Sequence, residues 1–446
     1  MGVRTGRTST PCRWYVAALL TVVVLAGLMA PVAPAGAATG VGVTAKKVKV
    51  GIALVNYDCI KTFTDSIRLH QNAVYQAFID DLNAKGGVNG RKIEPVYADY
   101  CPLGSAPALA ACTKLTDDDK VFAVMGTMID FSGDAQACVS NQHHTVLMSY
   151  NLTQAIMDKA PPGLMIYPGA TDERRVRVML DLLQQQHTLK GHKIAVLGGN
   201  NEAAMVHKVI VPGLKKAHVP MGSTAVLSID PTGDLTAAQA QLDSFLEKWK
   251  GEHVDALFLS GDVVSSKAFV TKIRQKLPHT LLLVDTQDVK DAAHQITASG
   301  EKDNPYDGIL TAGGVTGAEY AKSKNWKHCT AIYRKQTGKH APGPLEVVPG
   351  PDGKTLDTYG AITDACQITT MFRDIAARAG KDLNTKSWLA SVNHYGHIVP
   401  LSSGQFGSLG KGKYDADDDF RLVAWDSSIG AGGEWHAITP VRNLTG

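Results

Sequence analysis

The sequence predicts an α/β protein built as two doubly wound lobes, each a parallel sheet covered by helices. Three observations carry this. Strand-like runs alternate with helix-period segments in two separate series. The strand-like runs turn wholly apolar, as strands covered on both faces must be. Behind an N-terminal export segment lie about 400 residues, too many for one core.

The first strand is Lys47-Val48-Lys49-Val50-Gly51-Ile52-Ala53-Leu54-Val55, which alternates and then becomes continuously apolar. Val74, Phe78 and Leu82 recur at helical spacing, with Ala77 on the same face. Gly86-Gly87 stop that helix, because glycine enters the left-handed cap freely. Asn89-Gly90 turns the chain into a strand over Lys92 to Ala98. A helix over Ala106 to Asp119, a strand over Val121 to Met125, a helix over Asp134 to Asn141 and a strand over Thr145 to Met148 complete the first series. Short connections between such units mean parallel strands.

The second series opens with a helix over Arg174 to Gln186 and a strand over Lys193 to Leu197. A helix over Ala203 to Ala217 follows, which Pro212 is expected to break or kink. Then come a strand over Ala225 to Ile229, a helix over Leu235 to Trp249 and a strand over Ala256 to Leu259. A helix over Ser266 to Gln275 and a strand over Leu281 to Val284 close the series. From Lys381 the pattern is looser, with strand-like pieces at His397 to Pro400 and Phe420 to Trp425.

The first residues read as a secretory signal peptide, residues 1–37. Arg4, Arg7 and Arg13 precede an apolar run from Trp14 to Met29, and Ala35-Gly36-Ala37 supplies small residues for cleavage. An uncleaved anchor is the alternative. Cys12 precedes the apolar run and cannot be a lipobox cysteine, so a secreted or cell-surface protein without a lipid anchor is expected. Removing three arginines and no acid takes the formal charge from +3 to zero. That balance excludes nucleic acid or anionic lipid held by bulk charge. The six later cysteines, an even number in an exported chain, read as disulfides, with buried free thiols as the alternative.

Catalytic signatures are missing. There is no GxSxG elbow and no HExxH. Gly404 and Gly410-Lys411-Gly412 are spaced one residue too far apart for a phosphate loop, and Gly198-Gly199-Asn200 does not complete a dinucleotide fingerprint. His143-His144 and His394-Tyr395-Gly396-His397 lack metal-site spacing. Asp415, Asp417, Asp418 and Asp419 lack the glycine and distal glutamate of a calcium loop and read as a solvated acidic loop. No cofactor or metal is expected.

Polar stretches do recur just past predicted strand ends, the edge where parallel sheets bind ligands. They are Asn56-Tyr57-Asp58, Thr127 to Ser132, Ser149 to Thr153, Asn200 to Glu202, Gly261-Asp262 and Asp285 to Gln287. Ser132 and Thr153 could cap helices or hold a ligand carboxylate there.

Val48-Lys49-Val50-Gly51-Ile52, the run from Asn83 to Ile93 (NAKGGVNGRKI), Lys114-Leu115, Val121 to Gly126, Leu147-Met148-Ser149 and Lys193 to Leu197 together form a family-like pattern, joined later by Tyr359-Gly360-Ala361. On these residues the span from Val48 to about Asp288 resembles the type I periplasmic binding proteins, and among them the leucine/isoleucine/valine-type receptors of ABC importers. The resemblance implies a three-crossing hinge, with residues 46–165 and 306–380 in lobe 1 and 170–290 and 381–446 in lobe 2. It implies a cleft that closes on a small polar ligand, such as an amino acid, and is read by an importer permease. By resemblance Asp130, Phe131 and Ser132 would touch the ligand, and Asn151, Leu152 and Thr153 would hold its carboxylate. Asp285 or Gln287 would lie near its ammonium group. The chain departs from the pattern at Ala203-Ala204, where relatives have Tyr-Gly, and at Tyr150, which replaces a proline.

Tyr57, Phe131 and Tyr150 point to a partly aromatic cleft or to core packing, and Asn200, Glu202 and Asp262 add polar groups from the second lobe. The topology pairs Cys59 with Cys101, Cys112 with Cys138, and Cys329 with Cys366. A monomeric solute receptor is the expected function. The rivals are a ligand-sensing protein of the same fold and an exported hydrolase using Ser132 or Ser149 with His143.

Overall fold

The computed structural model describes residues 40–445, apart from 62, 63, 65, 131, 231–233, 302 and 403. The expected signal peptide and Phe131 lie outside the described residues.

The first sheet runs in the order Lys92–Tyr100, Lys47–Val55, Ala123–Gly126, Val146–Ser149 and Met165–Ile166, all parallel. Its central strand is buried from Val50 to Val55, because helices cover both faces. One of these helical layers comes so close that a Cβ on Gly51 would meet Leu115 Cδ2 at 2.9 Å, so this position needs glycine. The helix Gln71–Ala84 buries Val74, Ala77, Phe78 and Leu82, the expected stripe. Gly87, at φ +61°, closes it by donating its N–H to the Leu82 carbonyl at 2.9 Å.

The second sheet is ordered Glu434–Ala437, Asp419–Asp426, Leu310–Gly313, Leu281–Val284, Ala256–Ser260, Ile194–Gly199 and Met221–Leu227. Its five inner and far strands are parallel, and Asp419–Asp426 runs antiparallel against Leu310–Gly313. Met221–Leu227 begins four residues earlier than the sequence suggests. Pro212 does not break its helix. A wide turn at Val206–Ile210 precedes it and joins Ala203–Met205 to Val211–Lys216.

Two segments lie in lobes other than those expected. Leu310–Gly313, assigned to lobe 1 by the 306 boundary, is an interior strand of the second sheet. Leu383, Trp388 and Val392, assigned to lobe 2 by the 381 boundary, are buried in the first core. Trp388 stacks there with Phe122 and Phe372 at ring separations of 5.9 and 5.7 Å. The crossings fall between Ile166 and Asp172, between Gly313 and Gly317, and between Leu409 and Asp419.

The first and third crossings run side by side. Tyr167 donates to the Tyr414 carbonyl and accepts from the Ala416 N–H, each at 2.9 Å. Arg174, beside them, bonds Asp415 at 2.6 Å, Asp418 at 3.1 Å and the Leu444 carbonyl at 3.1 Å. Lys413 reaches Asp418 at 3.0 Å. The acidic run is therefore not the solvated loop expected from sequence: Asp415, Asp418 and Asp419 are 5%, 1% and 1% exposed. Buried carboxylates need cations or donors; Arg174 and Lys413 supply them to Asp415 and Asp418, and Asp419 accepts from Phe406 N–H at 3.0 Å.

The three cysteine pairs form as expected. They close chain separations of 42, 26 and 37 residues, each stabilising the fold by about 3–4 kcal/mol in the chain-entropy account. A long strap between Thr337 and Thr358 leaves the first lobe. Its Thr355–Leu356 pairs with Ser66–Ile67, its Gly353 carbonyl accepts from Gln295 Nε2 at 2.9 Å, and its Val347 packs against Gly432 of the second lobe. Among the described residues no helix is long and apolar enough to cross a membrane.

Arg174→Met is expected to cost about 3–5 kcal/mol, since it removes the more buried of the two cations that compensate Asp415 and Asp418, leaving them to Lys413. Urea unfolding followed by tryptophan fluorescence measures this.

Candidate ligand-binding cleft

The carboxyl ends of both sheets meet across the hinge. Between them lies a cavity of about 190 Å³. The second lobe contributes Arg175, Gln287, Lys290, Asp291 and Glu434, and the first contributes Ser66, Tyr320, Asp357 and Tyr359. Gly313 and Gly314, at the second crossing, form part of the wall. A Cβ on Gly313 would overlap the Gln287 amide, so the bare backbone is what lets that side chain lie there.

On the first-lobe side Arg68 pairs with Asp357 and Asp364, both at 2.7 Å. Burial pushes the Asp357 carboxyl up, but Arg68 and Lys290 together outweigh it and hold the group at about 2. Asp291 goes the other way, to about 6, because burial outweighs Lys290. Burial and the neighbouring Lys290 charge lower His294 to about 4, so its ring is neutral, and its Nε2 lies 3.1 Å from the Gly433 carbonyl.

On the second-lobe side acids crowd around the end of Ala256–Ser260. Asp285 accepts from Ser260 Oγ at 2.6 Å and from Gly261 N–H at 3.0 Å. Glu202 lies against Gly261, where a Cβ would meet its carboxyl carbon at 2.5 Å. Burial, with Asp285 adding, raises Glu202 to about 7. Burial also raises Asp172 to about 7, against the pull of Arg175. Desolvation, with the neighbouring charges of Asp288, Asp285, Asp172 and Glu202, raises the Asp262 carboxyl well above its ordinary value, although the residue is exposed. Asp172, Asp262 and Asp288 accept no side-chain hydrogen bond among the described residues.

The sequence-predicted residues divide. Gln287 lines the cavity, while Glu202, Asp262 and Asp285 gather just past the ends of Ile194–Gly199, Ala256–Ser260 and Leu281–Val284. Tyr57 and Tyr150 lie on the first-lobe side, Tyr57 coupled to Arg68 and Tyr150 donating to the Asp364 carbonyl at 3.2 Å. Leu152 is a correction: it is fully buried in the core and cannot touch a ligand. Asn200 accepts from Ile229 N–H, a structural role, and Asn151 is an exposed left-handed turn residue at φ +59°.

At the first-lobe turns expected to hold an anion, carboxylates of the chain itself engage several donors. Asp130 accepts from the N–H groups of Ser132, Asp134 and Ala135, and Ser132 Oγ donates to Asp130. Thr153 caps Ile156 N–H, while Glu173 accepts from Gln154 and Ala155 N–H at 2.7 and 3.3 Å. The chain's own carboxylates thus take the donors of Ser132, Asp134, Ala135, Gln154 and Ala155.

Sequence reasoning missed Arg68, Asp172, Arg175, Lys290, Asp291, Asp357 and Glu434. The signal for Asp357 was its place before Thr358-Tyr359-Gly360, where it caps the helix through Gly360 N–H at 2.8 Å. His143 lies with Cys112 and Cys138 in a group of possible metal ligands, but both sulfurs are in the disulfide.

Two parallel-sheet lobes, three crossings and a polar cavity between sheet ends define a hinged clamp of the periplasmic-binding type. The chain belongs to the periplasmic binding protein family, whose pattern it matches over residues 66–303. No curated protein matches it in sequence. Among solved structures it is similar to a solute-binding protein of an ABC transporter from Rhodopseudomonas palustris, in complex with 3,4-dihydroxybenzoic acid, at 14% identity and TM-score 0.62, covering 89% of this chain and 98% of that one. A leucine-binding protein from Thermotoga maritima matches at 15% identity and TM-score 0.62, covering 89% and 99%. A fatty acid ABC transporter substrate-binding protein from Thermomonospora curvata matches at 16% and 0.64, covering 92% and 96%.

Asp172 and Glu202 hold protons more tightly folded than unfolded. Their contribution is full below about pH 4 and is lost as pH rises through about 7. The double variant Asp172→Asn, Glu202→Gln should therefore melt above the parent protein at pH 8, with the gap closing at pH 5, by calorimetry on ligand-free protein.

Proposed function

We propose that this protein is the extracytoplasmic solute receptor of an ABC importer. It captures a small polar ligand by closing two lobes and presents the closed form to a permease. The observation that carries this is the cavity lined by both lobes at the meeting of two sheet ends. Ligand contacts to both faces stabilise the closed arrangement, and closure is the signal a permease reads. The relatives' ligands, from leucine to dihydroxybenzoate, support a small solute as cargo.

Binding without catalysis fits the side chains. Ser132 Oγ is engaged by Asp130 and Asp134, Ser149 Oγ donates to the Tyr150 carbonyl at 2.9 Å, and His143 sits 3.2 Å from Asp117. Among the described residues neither serine is paired with a histidine base.

Protein stripped by unfolding and refolding should rebind solute recovered from the native preparation, and its radius of gyration by X-ray scattering should fall on rebinding. Asp285→Ala should weaken that binding by about tenfold or more, the scale of one buried hydrogen-bonded charge. No recovered solute and an unchanged radius would sink the receptor reading.

A further inference from the structure

We propose that Arg175 is the anion-binding residue of the cavity, taking the carboxylate of a solute whose body is a flat aromatic ring. This rests on the receptor reading and narrows its ligand. It also reverses the expected orientation. The family resemblance puts the ligand's anion on the first lobe, whereas Arg175 stands on the helix Asp172–Gln185 of the second.

Two cations line the cavity, Arg175 and Lys290. Lys290 is committed to Asp291 at 3.3 Å. Nearby, Arg68 is committed to Asp357 and Asp364, and Arg174 to Asp415 and Asp418. Of these four, Arg175 alone forms no ion pair among the described residues. Its one hydrogen bond there runs from Nη2 to the Ala170 carbonyl at a long 3.4 Å. Its Nε is buried without an acceptor. Asp172, Asp288 and Asp417 pull on the guanidinium only from farther off. Burial raises Asp172 to about 7, so it is only partly ionised at neutral pH. A guanidinium fork at a cavity wall with no counter-ion matches the two oxygens of a carboxylate. Left bare, its buried donor costs free energy that such a guest restores.

The rest of the wall is aromatic and held from behind. Tyr320 and Tyr359 line the cavity from the first lobe. They pack edge to face at 6.0 Å, and both rest on Trp326, at 6.0 and 5.3 Å. Trp435 lines it from the second lobe, edge to face on Trp425 at 5.4 Å. His294, also lining it and uncharged, lies 4.9 Å from Trp425. Rings fixed in this way on both lobes favour a ring between them. Trp435 is 4% exposed, and its Nε1 has no acceptor either. The Gln287 amide, lying over Gly313, makes no side-chain hydrogen bond among the described residues. Both suit a further acceptor on the ring, such as a hydroxyl.

The test is titration calorimetry on stripped protein with three sets of probes. The ring acids are benzoate, 4-hydroxybenzoate and nicotinate. Their amides, benzamide, 4-hydroxybenzamide and nicotinamide, keep the shape and lose the charge. The aliphatic acids are leucine and glutamate. The inference expects a ring acid to bind more tightly than its amide and than either aliphatic acid. Arg175→Gln should weaken that acid by about 30-fold or more and its amide by less than about threefold, with native circular dichroism. Arg175→Lys, which keeps the charge and loses the fork, should recover only part of the loss. Equal weakening of acid and amide would mark a merely structural arginine and overturn the assignment. Preference for leucine or glutamate, or an amide bound as tightly as its acid, would overturn it too and leave the receptor standing. If no ring acid binds, the inference falls, and the receptor reading falls with it only if the native preparation also yields no solute.

Discussion

The arrangement of the two lobes depends on the guanidinium of Arg174. It sits where the first crossing enters its helix and reaches Asp415 and Asp418 of the third. A charge this deep is tolerable only when compensated, and so are the aspartates it holds. The pairing therefore fixes both crossings at one place. Phe420, 5.1 Å beneath the guanidinium, adds an aromatic floor. Sheets anchored at one such axis can present their carboxyl ends to each other and to little else.

Much of the frame was legible in the sequence because parallel sheets write a strong pattern. Val50 to Val55 and Ala256 to Ser260 are buried on both faces and can only be apolar. The second half was harder. Leu310–Gly313 is four residues long and runs into Gly314, so it reads as loop until its neighbours on both sides are known. The acids from Asp415 to Asp419 read as solvated because one of their two cations, Arg174, lies 241 residues before Asp415 in the chain. Charge compensation over such distances leaves no local mark.

The site was legible at the level of which edges matter, not which groups are free. Asp285 and Glu202 follow strands and were singled out for that reason. Whether Ser132 or Thr153 offered donors to a ligand was not readable, since it turned on a carboxylate elsewhere. Glu173 is 19 residues from Gln154 in sequence, yet it reaches across from the opposite lobe. Occupancy of a donor is a property of the fold, while its presence is a property of the sequence.

The strap between Thr337 and Thr358 separates closure from occupancy. Gln295 bonds its Gly353 carbonyl and Val347 rests on Gly432, and neither contact needs a guest in the cleft. Part of the free energy holding the lobes together is thus present in the empty molecule, which narrows the gap between its open and shut populations. A guest then has less work to do on arrival. On departure it must wait for this strap, which also walls the cavity through Glu346, Val348 and Leu356, to peel away, so how long it stays is set partly by the clasp and only partly by its own grip.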